Sequence, residues 1–340
     1  MVTAIANPEL EARIRQRLDS LTKPQGSLGR LEELALQVGL IQGTDMPMVG
    51  RKAMLLFCAD HGVVEEGVSP FPQEVTRQMV ENFRAGGAAI TVLCRQYGIE
   101  PVIVDMGVGR PTRNFAREPA MSRVEAERAI EAGVAHAADG DLLGAGEMGI
   151  GNSTAGAALL CAFTGADPRD AAGRGTGLDD AGVFRKADVI ARALTLHRPD
   201  TKDAIGVLAA VGGFEIAAIA GLIIGAAQKR RMVVLDGYIS CSAALVARAI
   251  EPTALDYVIY SHRSAERGHR RMLEALGARP LLDLDMRLGE GTGAAIGISL
   301  VEAAVRLYRE MATFASAGVS TDAESTDEAP PPASRSGAAQ

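Results

Sequence analysis

Tryptophan is missing from this chain, and all aromatic residues together make up only 4% of it. Proteins that track single-stranded nucleic acid stack bases on aromatic side chains, so a surface of that kind cannot be assembled here. Nor is there a block of positive charge. The 35 Lys and Arg are scattered, and the formal net charge is -7, whereas nucleic-acid binding by counterion release needs a concentrated cationic face. The cysteines Cys58, Cys94, Cys161 and Cys241 form no C-x-x-C pair and sit among apolar neighbours. They read as reduced, buried small hydrophobes of an intracellular protein. The opening MVTAIANPELEARIRQRLDS lacks a basic segment followed by an apolar one, so no secretory leader is expected. Apolar stretches such as Ile216–Ile224 are rich in Ala and Gly and too short to span a bilayer. The expectation is a soluble, cytoplasmic protein with neither nucleic acid nor membrane as a partner. The histidines His61, His136, His197, His262 and His269 show no metal-ligand spacing, and neither H-E-x-x-H nor G-x-S-x-G occurs. No metal and no cofactor is called for.

What the chain has instead is glycine, 38 residues of 340, and a hydrophobic fraction of 47%. That balance suits tight loops and closely packed helices around a sizeable core. Short apolar runs alternate with helical patterns and stop at polar or glycine-rich turns. Ala53–Ala59 ends in Asp60-His61-Gly62, Val102–Val104 in Asp105-Met106-Gly107, and Met232–Leu235 in Asp236-Gly237. Tyr257–Tyr260 ends in Ser261-His262, and Leu281–Leu284 leads to Gly289-Glu290-Gly291. A further apolar stretch, Ile205–Val211, precedes Gly212-Gly213-Phe214-Glu215 and reads as another run ending at a strand-to-helix turn. Continuous apolar runs of this length fit strands covered on both faces, as in a parallel sheet. The fold class expected is α/β, a doubly wound, mainly parallel sheet, with ligands gathering beyond the carboxyl ends of its strands. Helices are expected over Pro8–Leu18 and Leu28–Ile41, with a last long helix over about 294–314 that packs on them as a small helical domain. The domain expectation is therefore a helical segment over 1–45, a large α/β domain over 46–293, and a C-terminal helix over 294–318. A disordered, proline-rich tail is expected over 319–340.

Several motifs could carry chemistry. In Gly144-Ala-Gly-Glu147-Met-Gly149-Ile-Gly151-Asn152-Ser153-Thr154, glycines would let backbone N–H groups approach an anion at the start of a small-residue helix over Ala155–Ala162. Asn152 or Ser153 could equally serve as a helix cap. The run also matches G-x-G-x-x-G and so admits a nicotinamide-dependent oxidoreductase. The acid expected about 20 positions on should end a strand, however, and Asp167 lies in a loop. A second cluster, Gly173-Arg-Gly175-Thr-Gly177, precedes a helix bearing Lys186, which could reach a phosphate or merely face solvent. Asp236-Gly237-Tyr238 could be part of a shared site or ordinary turn chemistry. In Leu288-Gly289-Glu290-Gly291-Thr292-Gly293, a lone carboxylate stands inside a glycine loop. Partial dehydration there raises its proton affinity toward that of a useful base; alternatively it only favours the helix N-terminus. His61 and His262 could touch substrate or be structural. A non-catalytic nucleotide-binding module is the third reading these residues allow.

Lys23–Glu32, Cys58–Gly62, Gly146–Thr154, Val211–Glu215, Leu235–Gly237, Ser261–Glu266 and Met286–Ala294 run in order over residues 8–318. As an ordered set they resemble the nicotinate-nucleotide–dimethylbenzimidazole phosphoribosyltransferase family. The resemblance implies a Rossmann-like large domain, a homodimer, and transfer of 5-phosphoribosyl from nicotinate mononucleotide to 5,6-dimethylbenzimidazole. The products would be α-ribazole 5′-phosphate and nicotinate, with inversion at the anomeric carbon. By motif position it implies that Glu290 is the general base. Glu147, Gly149, Asn152, Gly175, Lys186, Glu215, Asp236 and Gly237 would handle the nucleotide and its phosphate. Phe71, Met79, Ser264 and Leu288 would lie beside the aromatic base. Phe71 and Met79 stand where some relatives place polar side chains, which bears on base selectivity alone.

Overall fold

The computed structural model describes residues 2–320. Beyond its first two residues, the expected tail lies outside the described part of the chain. Two helices come first, α1 (Pro8–Ser20) and α2 (Arg30–Gln42), close to the expected bounds. α1 starts where the chemistry says it should. The Asn7 side chain accepts the Leu10 N–H at 3.1 Å, Pro8 needs no hydrogen-bond partner, and Glu9 and Glu11 favour the positive end.

The centre is a five-stranded parallel sheet in the order β2-β1-β3-β4-β5. Its strands are β1 (Lys52–Ala59), β2 (Glu100–Gly107), β3 (Leu142–Met148), β4 (Met232–Leu235) and β5 (Val258–Tyr260). All of β1 beyond Lys52 is buried, as a strand covered on both faces requires. β2 is an edge strand, partly exposed, and tolerates Pro101 because one side of it has no partner to receive an N–H. The connections are helical. α3 (Glu74–Ala85) and α4 (Ala89–Tyr97) join β1 to β2, and α5 (Arg123–His136) joins β2 to β3. From β3 to β4 run α6 (Asn152–Thr164), α7 (Pro168–Ala171), α8 (Asp180–His197), α9 (Ala204–Val211) and α10 (Phe214–Gln228). α11 (Tyr238–Ile250) joins β4 to β5, and α12 (His269–Leu276), α13 (Thr292–Glu310) and α14 (Phe314–Ala317) follow among the described residues. Among the described residues no helix is long and apolar enough to cross a membrane.

Three expectations give way. Ile205–Val211 is the helix α9 rather than a strand. A short, continuously apolar run has no periodicity to separate the two. Leu281–Leu284 forms no strand; it adds a single parallel bridge, Leu282 to His262, beside β5. The glycine run expected to open a helix is in part strand: Gly144 and Gly146 lie inside β3, and only Gly149 and Gly151 stand before α6.

The core is continuous across both faces of the sheet, and a second cluster forms where α1 and α2 meet the end of α13, from Leu10, Ile14, Leu18, Leu21, Ala35, Leu36 and Tyr308. α13 belongs to both. Ala294, Ile298 and Val301 pack in the main core, and Tyr308 reaches the second, where its hydroxyl donates to the Asp45 carbonyl at 2.6 Å. All four cysteines are buried and free.

α5 and α10 press together through glycines. A methyl on Gly133 would stand 1.8 Å from the Ala218 carbonyl oxygen, and one on Gly221 would stand 2.0 Å from that of Ile130. Backbone meets backbone at both points, so no side chain can swing aside. Gly133→Ala should lower stability by about 1–3 kcal/mol through overpacking, read as a lower urea midpoint with nucleotide binding retained. A midpoint equal to that of the parent would mean that the helices separate freely.

Candidate functional site

A parallel sheet of this strand order reverses direction between β1 and β3, and a crevice opens beyond their carboxyl ends. The polar turns converge there. Asp60 and His61 follow β1, Glu147 ends β3, Asp236 follows β4, and His262 follows β5. Gly149 lets the chain leaving β3 pass so near β1 that a methyl on it would stand 2.6 Å from the Ala59 carbonyl oxygen.

Glu290 occupies the middle of this crevice. Its backbone φ is +64°, a left-handed conformation that side chains other than glycine rarely adopt. Two carboxylates hold it so. Glu147 Oε1 accepts the Glu290 N–H at 3.3 Å, while Asp236 accepts the next N–H, of Gly291, at 3.0 Å and those of Gly293 and Ala294 at 2.7 and 3.2 Å. Asp236 thus takes three donors at the start of α13. Hydrogen bonds of this kind are worth roughly 0.5–1.5 kcal/mol each, and the four together offset a strain of about 1–3 kcal/mol. Room comes from β3, where a methyl on Gly146 would strike the Glu290 carbonyl oxygen at 2.4 Å. The strand glycine is there because a peptide lies on it.

Burial raises the proton affinity of these acids. It pushes Glu147 up to about 8, helped by the charges of Asp236 and Glu215 and opposed by the Asn152 amide, which donates to Glu147 Oε2. It pushes Asp236 up to about 7 against its backbone donors. It also raises Glu290, while the Ile90 N–H at the start of α4 pulls the other way. Glu290 is only 7% exposed, and its Oε2 has no hydrogen-bond partner among the described residues.

On one side lies a cationic cradle. Lys186 is 1% exposed and donates to Ser153 Oγ at 2.8 Å and to the Gly173 carbonyl at 3.4 Å. Burial lowers its proton affinity to about 8, and the carboxylate of Glu266 partly restores it. Gly175, with φ +51°, lies so near that a methyl on it would stand 2.8 Å from Ser153 Oγ and 3.3 Å from Lys186 Nζ. The α6 N-terminus opens on Gly151 with no side-chain cap. Neither Asn152 nor Ser153 caps it; the first serves Glu147 and the second serves Lys186. The alternative of a solvent-facing lysine fails, since Phe184 and Arg185 take the exposed positions.

Glu215, fully buried at the start of α10, pairs with His61 Nε2 at 2.7 Å, and its Oε2 is unpaired. Of the residues expected near the aromatic base, Ser264 is buried beside Gly237, whose added methyl would stand 3.3 Å from the Ser264 Cβ. Phe71 and Leu288 are 46% and 58% exposed, and Met79 is partly buried against the core. The pairing of His61 with Glu215, the Ser153 contact and the buried His269 were not legible locally. Among the described residues, no group of three or more His, Cys, Asp and Glu stands close enough to hold a metal ion. The dinucleotide fingerprint also loses its basis. It needs its first glycines in the turn after a strand, and here Gly144 and Gly146 are in the strand itself.

A phosphoribosyltransferase family model matches residues 4–319. The nicotinate-nucleotide–dimethylbenzimidazole phosphoribosyltransferase of Geobacter metallireducens is 52% identical over 330 residues, covering 91% of this chain and 94% of its own length. The enzyme of the same name from Chloroflexus aggregans is 50% identical over 330 residues, with 91% and 94% covered. Among solved structures, CobT from Thermus thermophilus superposes with a TM-score of 0.88 at 46% identity, covering 92% of this chain and 99% of that one.

The buried acids fix how stability responds to pH. Glu147 binds its proton more tightly in the folded state than in the unfolded, so folding is favoured while that proton stays on. Stability should therefore fall as pH rises from 4.5 toward about 8 for Glu147, and from 3.8 toward about 7 for Asp236. Thermal melts of the ligand-free protein across this window should show a declining Tm, with a shallower slope in Glu147→Gln. A Tm that climbs throughout would contradict the assignment.

Proposed function

The chain belongs to the nicotinate-nucleotide–dimethylbenzimidazole phosphoribosyltransferase family, and from that premise we propose how its site divides the reaction among residues. The enzyme transfers the 5-phosphoribosyl group of nicotinate mononucleotide to 5,6-dimethylbenzimidazole, releasing nicotinate and α-ribazole 5′-phosphate, the lower-ligand nucleotide of cobalamin.

The leaving group explains the acid–base inventory. The nicotinate ring of the nucleotide is a pyridinium, already cationic, so it departs with the electron pair of its bond to C1′ and needs no proton. A glycosidase, whose leaving oxygen must be protonated, needs a second catalytic carboxyl for that purpose. Here the proton problem lies on the other partner. As the unprotonated nitrogen of dimethylbenzimidazole bonds to C1′ from the opposite face, its N–H nitrogen becomes acidic. Glu290 accepts that proton. The observation that carries the assignment is the unpaired, buried Oε2 of a carboxyl whose proton affinity is raised by its surroundings.

Lys186, Ser153 and the Gly175 turn take the 5′-phosphate, supported by the uncapped start of α6 and its partial positive charge. The phosphate dianion restores full charge to a lysine whose burial otherwise weakens it. Glu215 Oε2, free of protein donors, offers an acceptor for a ribose hydroxyl, and Gly149 and Gly237 leave space for the sugar. Asn152 and Asp236 act on the nucleotide side by holding Glu147 and the α13 start in register. Phe71, Met79, Ser264 and Leu288 surround the flat base. The exposed apolar faces of Phe71 and Leu288 suit a ring that covers them on binding. Holding sugar and base in line supplies a large share of the acceleration, since effective molarities for oriented partners reach about 10⁵ M and above. α1, α2 and the end of α13 form the small domain, and the active form is a homodimer, a state that light scattering reads directly.

Glu290→Gln should bind nicotinate mononucleotide as the parent does and release nicotinate about 10²–10⁴-fold more slowly when dimethylbenzimidazole is added. Near-parental turnover in a folded variant would remove Glu290 from the role of base. Lys186→Met should instead raise the KM for the nucleotide about tenfold or more, consistent with loss of a charge-assisted contact to phosphate, with little change for the base. Equal effects on both substrates would argue against a phosphate cradle there.

A further inference from the structure

His269 has no part in the chemistry above, yet it is completely buried at the first position of α12, beside the acceptor side of the crevice. Its Nδ1 accepts the backbone N–H of Ser264 at 2.8 Å. An imidazole nitrogen that accepts carries no proton, so the ring is the neutral Nε2–H tautomer. Burial agrees, pushing the imidazole down to about 3. The ring is wedged between two others. Tyr238 meets it edge-on at 6.4 Å and is itself tied by its hydroxyl to the Ala171 carbonyl at 3.1 Å, and His262 lies 6.4 Å away on another side.

This wedge acts on a short turn that would otherwise be loosely held. Ser264 leads into a tight reversal in which the Glu266 N–H reaches Ser264 Oγ at 3.3 Å and the His269 N–H reaches the Glu266 carbonyl at 3.0 Å. The same turn is laced to the segment that ends at the base. The Arg263 N–H donates to the Leu282 carbonyl at 2.8 Å and the Ala265 N–H donates to that of Met286 at 2.9 Å, four residues before Glu290. Between these two backbone contacts the peptide N–H of Ser264 points the other way, and His269 is its sole partner among the described residues. Without that acceptor, a buried N–H is left unpaired and the turn must rotate to satisfy it. The Ser264 hydroxyl would rotate with it.

We infer that His269 is a positioning residue for the acceptor base, fixing through its Nδ1 the peptide that presents Ser264 to the incoming azole. The inference rests on the placement of Ser264 beside dimethylbenzimidazole. It assigns His269 no proton transfer and no contact with the nucleotide.

Two substitutions of equal polarity separate this from simple packing. The amide of Asn places its oxygen where imidazole Nδ1 stands, whereas that of Gln reaches the Nε2 position and leaves the Ser264 N–H without an acceptor. Steady-state kinetics of His269→Asn and His269→Gln with nicotinate mononucleotide and dimethylbenzimidazole should show a split. Gln should raise the KM for the base about tenfold, the cost of one unmade buried hydrogen bond, with the nucleotide KM unchanged. Asn should stay near the parent. If the two variants behave alike, or if Gln raises both KM values together, the positioning role is wrong. Ser264→Ala, measured alongside, isolates the premise. An unchanged base KM there would remove Ser264 from the base site, whereas a raised one combined with no Asn–Gln split would overturn the role of His269 alone.

Discussion

Glu290 is held in a backbone conformation it would not choose, and much of the site's architecture can be understood as the means of keeping it there. A left-handed residue between two glycines is a hinge unless something closes it. Here Glu147 takes the residue's own N–H and Asp236 takes the next, so the peptides on either side of the side chain are both anchored to the sheet. The anchors come from the carboxyl ends of neighbouring strands, β3 and β4, whose spacing is set by the sheet's own hydrogen bonds. Gly146 then lets the clamped peptide lie directly on β3. The position of the Glu290 carboxyl is thereby set by main chain more than by a rotatable side chain.

The same burial that stiffens this region sets its electrostatics. Acids gathered in one desolvated crevice cannot all ionise, and burial raises Glu147, Asp236 and Glu290 together. Across the crevice Lys186 is shifted the opposite way by the same cause. The two halves complement each other. The acids keep protons they would lose in water, and on the proposed placement of the phosphate its negative charge favours the charged form of the lysine. Binding and protonation are linked through the shared lack of solvent, with no direct contact needed between the acids and the cradle.

Much of this was legible in the sequence, and the exceptions have physical causes. β1 and β4 announce themselves because a strand covered on both faces needs an unbroken apolar run, and each such run ends at the polar residue that enters the site. β3 is hidden by Gly144 and Gly146, which weaken any local strand signal; Gly144 makes room for Met54 and Ile298, and Gly146 for the Glu290 peptide, a contact 144 positions away that no local window contains. α9 reads as a strand because its eight residues are nearly all apolar, six of them buried, and carry no helical period. Glu290 and Glu147 stand out by their glycine flanks. Lys186 does not, since a lysine next to Arg185 looks like a solvated face until α8 turns it inward. The His61–Glu215 pair joins residues 154 apart, and His269 sits in an ordinary amphipathic helix. Both are visible only once the chain is folded.

α13 begins at the clamp around Glu290 and, 19 residues on, ends in a different apolar cluster, where Tyr308 fastens to Asp45. A helix of this length is a rod of roughly 28 Å, and each residue in it turns the far end by about 100°. Gaining or losing one residue anywhere along it would swing Tyr308 out of its cluster or drag Glu290 off the sheet, whichever end held less firmly. A surface loop can change length with little consequence for this frame, while the residue count between Glu290 and that distant tyrosine is locked by helical phase.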